Sequence, residues 1–135
     1  MPAFPLYYHP LYSDGLDRTA RFPVERYRLL AQRLKKLDTS GQIAVKEPRL
    51  ATRDEVLLVH DELYVESFLN GHLSEKEIRR IGLKPWKKEI IARTLRLIGG
   101  ALDGLDEVLS GIPIAGNMAG GTHHAFRGEG SGYCI

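Results

Sequence analysis

The chain has 135 residues, a length that fits one domain or a piece of a larger one. With 43% hydrophobic and 27% charged residues it can bury a core, which excludes a disordered chain. A net charge of +2 gives no grounds for nucleic acid or an acidic membrane as a partner, and neither is expected.

Phe4 to Tyr8 is apolar and aromatic and predicts a first strand, ended by His9-Pro10. Leu11 to Arg21 is rich in turn formers and predicts a loop. Pro23 suits the first turn of a helix, and Tyr27, Leu30, Ala31 and Leu34 give that helix one apolar stripe through Leu37. Ile43 to Val45 predicts a short strand. Thr52 with Glu55, and Ser74 with Glu77, have the spacing of capping boxes, and Asp61 is placed to cap a helix carrying Leu63, Tyr64 and Phe68. The longest helix is expected to open at Pro85 and to run to Ser110-Gly111. Its glycines 99, 100 and 104 are expected to let it lie close against a sheet. Ile112 to Met118 predicts a buried strand, followed by a glycine-rich loop, and Tyr133-Cys134-Ile135 reads as the start of another element in a truncated domain.

Strands alternating with helices predict an α/β fold with a mainly parallel sheet, in which chemistry gathers in loops at the carboxyl ends of strands. The N-terminus lacks the basic flank and apolar run of a signal peptide, and no stretch approaches the roughly 20 apolar residues that cross a bilayer. The lone Cys134 excludes an internal disulfide and fits a reducing, cytoplasmic setting.

The segment Ala119-Gly120-Gly121-Thr122-His123-His124-Ala125-Phe126 carries most of the functional information. Two adjacent histidines on an extended loop point in different directions, so one can face a substrate while the other supports it. Imidazole titrates near neutral pH and can take a proton from water and return it to a leaving amine. The same pattern is also compatible with incidental surface histidines, and the glycines with a turn or an anion nest. The loop lacks the Gly-x-Gly-x-x-Gly and Lys-Ser/Thr elements of nucleotide-binding loops.

Gly120-Gly121-Thr122-His123-His124-Ala125 followed by Gly130-Ser131-Gly132-Tyr133-Cys134 resembles the tandem-histidine signature of the histone deacetylase family. His9-Pro10, Arg21-Phe22-Pro23 with Tyr27, Val59-His60-Asp61 with Tyr64-Val65, and Arg80-Ile81-Gly82-Leu83 fall in the order of its bacterial, class IV-like members. The resemblance covers essentially residues 1–135 and implies part of one three-layer, arginase/deacetylase-like α/β domain.

Members of that family are zinc-dependent amidohydrolases that remove acyl groups from lysine or polyamine amines. By resemblance His124 matches the general base and acid, and His123 its neighbour, which orients the attacking water. Gly132 matches a backbone position along the acyl-lysine tunnel, and Tyr133 matches an aromatic wall that is usually Phe. The family's zinc ligands, two aspartates and a histidine, follow this loop and have no counterpart here. No zinc is therefore expected to be held by this chain, and the chain alone is expected to be inactive.

His9 and His60 read as structural hydrogen-bonding residues, His72 as solvated, and Cys134 as a small buried residue. Arg26 has a possible match to an arginine of the family's internal channel, but reads more simply as part of a solvated helix face. Lys76, Arg79, Arg80, Lys84, Lys87 and Lys88 read as a solvated basic face, since no aromatics are interleaved for base stacking. A second possibility is a non-catalytic remnant, homo-oligomeric through the unpaired edge of the strand Ile112–Met118.

Overall fold

The computed structural model describes residues 2–121 and 123–135. Met1 and Thr122, the latter within the glycine-histidine motif, lie outside the described residues. Three parallel strands, β1 (Phe4–Tyr7), β2 (Ile43–Lys46) and β3 (Gly116–Asn117), form a sheet in the order β2-β1-β3. Between β1 and β2 lie a short 3-10 turn at Pro10–Tyr12 and helix α1 (Arg26–Leu37). Helices α2 (Arg53–Leu57), α3 (Glu62–Leu69), α4 (Glu75–Ile81) and α5 (Glu89–Leu109) separate β2 from β3. This is the α/β architecture with a parallel sheet that the strand–helix alternation implies.

Alternation along β1 divides its side chains between two helical layers. Phe4, Leu6 and Tyr8 join Tyr27, Ala31 and Leu34 of α1 in one core cluster. Tyr7 turns the other way, and its hydroxyl donates to Glu107 of α5 at 3.0 Å. A second cluster, built from Leu16, Val24, Phe68, Leu73, Ile81, Leu83 and Ile90, joins α3 and α4 to the start of α5.

Both capping boxes form: Thr52 and Ser74 each accept from the backbone N–H of the glutamate three residues on, and that glutamate returns the bond. Close packing of α5 is present at two of the three glycines, at Gly99 against the segment after β2 and at Gly100 against the sheet, whereas Gly104 makes only ordinary contact. A Cβ on Gly99 would overlap the Arg49 carbonyl oxygen, and one on Gly100 would lie 3.0 Å from both the Tyr12 hydroxyl and the Asn117 amide nitrogen.

Four expectations need correction. Pro23 does not begin α1: its carbonyl accepts from Arg26 at 3.2 Å, and buried Val24 holds a turn ahead of the helix. Pro85 does not begin α5, because Leu83 is buried and Trp86 packs edge-on against Phe68 at 6.4 Å, which keeps the segment bent until Glu89. Asp61 stands at the N-cap of α3 but makes no capping bond, since its carboxylate is taken by Arg127. The buried strand Ile112–Met118 shrinks to Gly116–Asn117, and Ile114 is 62% exposed. The register pairs Leu6 with Gly116, which would set Ala115 opposite Pro5 and Pro113 opposite Ala3. Neither proline has an N–H to offer, so the ladder cannot extend upstream.

Among the described residues no helix is long and apolar enough to cross a membrane.

Candidate active site

The loop that leaves β3 is fixed first by a tight turn. The Gly120 N–H donates to the Asn117 carbonyl at 3.0 Å, and Gly120 adopts φ +69°, a conformation that glycine takes without steric penalty. The loop then presents His123 and His124, both exposed, with ring centroids 4.2 Å apart and planes inclined by 46°. The rings lie against one another on one side of the chain, so they do not diverge as expected of neighbouring histidines on an extended loop.

Each imidazole meets the second glycine segment. His123 lines a cavity of about 130 Å³ whose walls include Gly132, Tyr133, Phe22 and Arg93. His124 lies directly over Gly132, where an added Cβ would come within 3.0 Å of its Cδ2 atom. Gly132 also has φ +52°, so both its backbone angle and its neighbour call for glycine. Of the four residues singled out from the sequence, His123, Gly132 and Tyr133 line one cavity, and His124 packs on Gly132 beside it.

Tyr133 is held in an uncommon conformation, with φ +68°. Its N–H donates to the Ile81 carbonyl at 2.7 Å, and Ser131 and Cys134 bridge across it with backbone bonds of 2.9 Å in each direction. The ring rests on Phe22, centroid to centroid 4.8 Å, and on Gly82, the left-handed cap of α4. A side chain at position 82 would crowd that ring at 3.3 Å. Cys134 beneath it is buried, as its reading as a small buried residue requires.

The far side of the loop is tied down by charge pairs. Arg127 Nε donates to Asp61 Oδ1 at 2.6 Å, and the Arg127 carbonyl accepts from the Asp61 N–H at 2.9 Å. Arg80 Nη1 reaches Glu129 at 2.7 Å, and its guanidinium lies over the Phe126 ring. Arg80 therefore belongs to the frame of the site, not merely to the solvated basic face in which the sequence places it. The remaining members, Lys76, Arg79, Lys84, Lys87 and Lys88, are exposed.

One residue of the cavity was not singled out from the sequence. Arg93 of α5 is only 4% exposed, its Nε donates to the Tyr12 carbonyl at 3.2 Å, and its guanidinium sits about 6 Å from the ring centres of Phe22 and Tyr27. Burial pulls its pKa below the ordinary guanidinium value, against the opposing pull of Tyr27 and Tyr12. A sequence signal existed: Ile90, Arg93 and Leu97 share one helical stripe, so the arginine lies on the apolar face of α5.

Arg26, at the start of α1, is exposed as a residue, but its guanidinium lies over Phe22 at 5.3 Å and Tyr27 at 4.8 Å and donates to the Tyr27 hydroxyl at 2.8 Å. His9 Nδ1 accepts from the Leu11 N–H at 3.0 Å, and His60 Nδ1 sits 3.3 Å from the Arg127 carbonyl, so both act as structural hydrogen-bonding groups. His72 is exposed. Among the described residues, no group of three or more His, Cys, Asp or Glu side chains is gathered to hold a metal ion.

Comparison with known proteins bears on the same segment. The chain is 41% identical over 132 residues to an uncharacterised protein of Picosynechococcus sp., covering 98% of this chain and 43% of that protein. It is 33% identical over 118 residues to the acetoin utilization protein AcuC of Staphylococcus aureus, covering 82% of this chain and 30% of AcuC. The AcuC of Staphylococcus xylosus matches over the same length at 32% identity. The chain thus spans less than half the length of these relatives. The profile of the histone deacetylase domain matches residues 20–135, from ahead of Phe22 through the histidine pair to Tyr133 and beyond, and the chain belongs to the histone deacetylase family.

Proposed function

We propose that this chain supplies the proton-transferring half of a deacylase site, acting on the acylated amine of a lysine side chain or a polyamine. The observation that carries this is the placement of the histidine pair, with His123 on the wall of a cavity shared with Tyr133 and His124 packed on Gly132. In this assignment His124 takes a proton from a water at the mouth of the cavity. The resulting hydroxide attacks the acyl carbon, the carbon–nitrogen bond breaks, and the proton passes to the leaving amine. His123 orients that water through its contact with His124. Gly132 and Tyr133 line the path of the acyl chain, and the Tyr133 hydroxyl makes that wall more polar than a phenylalanine would.

Zinc supplies electrophilic activation in this family. The residues here do not fit that ion: two histidines fall short of the three protein ligands of a catalytic zinc site, and no other ligand is gathered near them among the described residues. We propose that the zinc ligands, and the completion of the active site, come from polypeptide other than these 135 residues. The test is to co-express the chain with the remainder of its Picosynechococcus relative and to measure acetate release from an acetyl-lysine peptide. Turnover should appear only in the complex, and His124→Ala should lower kcat by roughly 10²–10⁴, the range of general acid–base catalysis. Turnover in the complex that His124→Ala leaves unchanged would remove the assignment.

A second function for the chain on its own is favoured by the outer edge of β3. Among the described strands β3 pairs only with β1, and Ile114, two residues ahead of it, is 62% exposed. Free strand edges recruit other chains. We propose a homo-oligomer formed through this edge. A single monomer peak in light scattering at micromolar concentration, without detergent, would contradict it.

A further inference from the structure

We infer that Asn117, together with Tyr12, is the positioning residue for the histidine pair. The inference rests on the assignment of His123 and His124 to proton transfer. Asn117 ends β3, and every polar atom of its side chain is engaged. Its Oδ1 accepts from the Tyr12 hydroxyl at 3.0 Å and from the Ala119 N–H at 3.3 Å, while its Nδ2 donates to the Leu97 carbonyl at 2.8 Å. Its own carbonyl accepts from the Gly120 N–H and so closes the turn from which the histidine loop departs.

One side chain thereby links three elements: the middle of α5, the turn after β1, and the first residue of the catalytic loop. The room for it is made by Gly100, where any Cβ would stand 3.0 Å from both the Asn117 amide and the Tyr12 hydroxyl. Tyr12 is fully buried, and burial raises its pKa well above the ordinary tyrosine value, so the hydroxyl remains a donor at any physiological pH. Asparagine suits this place because its amide offers an oxygen that accepts from two donors and, on a separate atom, an N–H that reaches a helix carbonyl. Aspartate would set a carboxylate against the Leu97 oxygen, and an aliphatic residue would take the acceptor from the Ala119 N–H and leave the buried Tyr12 hydroxyl only its longer contact with the Arg96 carbonyl, at 3.4 Å.

The experiment is proton NMR of the chain itself, reading the nuclear Overhauser contacts between the His123 and His124 rings and between the His124 ring and the Gly132 α-protons. The wild type should show both contacts. Asn117→Ala should lose them while the amide resonances of α5 and β1 stay in place, which a residue that only stabilised the fold would not do. Where Asn117→Ala does not fold, Tyr12→Phe decides, since it keeps the ring in the core and removes one donor. It should weaken the His124–Gly132 contact, and unchanged contacts in either folded variant overturn the inference. Because this readout requires no turnover, it fails or succeeds separately from the deacylase assignment.

Discussion

The His124 ring packs on the α-carbon of Gly132, so that a Cβ there would stand 3.0 Å from its Cδ2 and the ring would have to shift. That contact joins the two glycine-rich halves of the loop, and a Cβ at position 132 would press on the ring. Gly132→Ala should displace the His124 ring and, because residue 132 is left-handed, cost about 1–2 kcal/mol of stability. Chemical denaturation and the chemical shifts of the His124 ring check the two effects. A variant with wild-type stability and unmoved ring resonances would contradict the contact.

Helix α5 offers a paired comparison. Gly99→Ala must push the helix off the Arg49 carbonyl and should cost about 1–3 kcal/mol through overpacking. Gly104→Ala meets only the Ala115 methyl at 3.8 Å, an ordinary contact, so the gain in helix propensity dominates and the variant should be stabilised by up to about 1 kcal/mol. Thermal unfolding of both variants tests whether α5 lies where the structure puts it.

Acid sensitivity should centre in part on Glu55. Hydrogen bonds from the Arg49 guanidinium, then from the Thr52 N–H, hold its carboxyl down at about 2 against an ordinary value of 4.5. A carboxyl depressed in the folded state contributes stability that is complete above the unfolded value and disappears as pH falls toward the folded one. The advantage of wild type over Glu55→Gln should therefore be present at pH 7, shrink below about pH 4.5 and vanish near pH 2. A gap in unfolding midpoint that stays constant across this range would show that the ion pair is not the source.

The exposed pair Arg127–Asp61 should behave differently. Both side chains are more than half exposed, at 79% and 52%, and such pairs contribute at most about 1 kcal/mol and weaken with salt. Asp61→Asn should leave the unfolding midpoint nearly unchanged and should increase hydrogen exchange at Phe126, whose N–H bonds to Glu129 across the same turn. A large loss of global stability would mean that the pair is doing more than holding the loop.

What could be read from the sequence was local chemistry. The capping boxes at Thr52–Glu55 and Ser74–Glu77 depend on atoms three residues apart, and both formed as their spacing implies. The loop words from Gly120 to Tyr133 were legible because glycine, histidine and aromatic residues stand at short fixed distances there. Helix starts at Pro23 and Pro85 were misplaced because burial of Val24 and Leu83, a tertiary effect, decides where those segments bend. The third strand was drawn too long because an apolar run does not reveal that its partner would be Pro5. Phe22 against Tyr133, and Tyr12 against Asn117, join residues more than a hundred positions apart, and no local pattern announces such pairs.

Acetate release from an acetyl-lysine peptide, by the 135-residue chain supplied with zinc, probes most directly whether these histidines handle protons for a metal held elsewhere. No turnover above the peptide and zinc control is expected. Zinc-dependent turnover by the chain alone, abolished in His124→Ala, would contradict the division of the site and place the metal ligands within these residues.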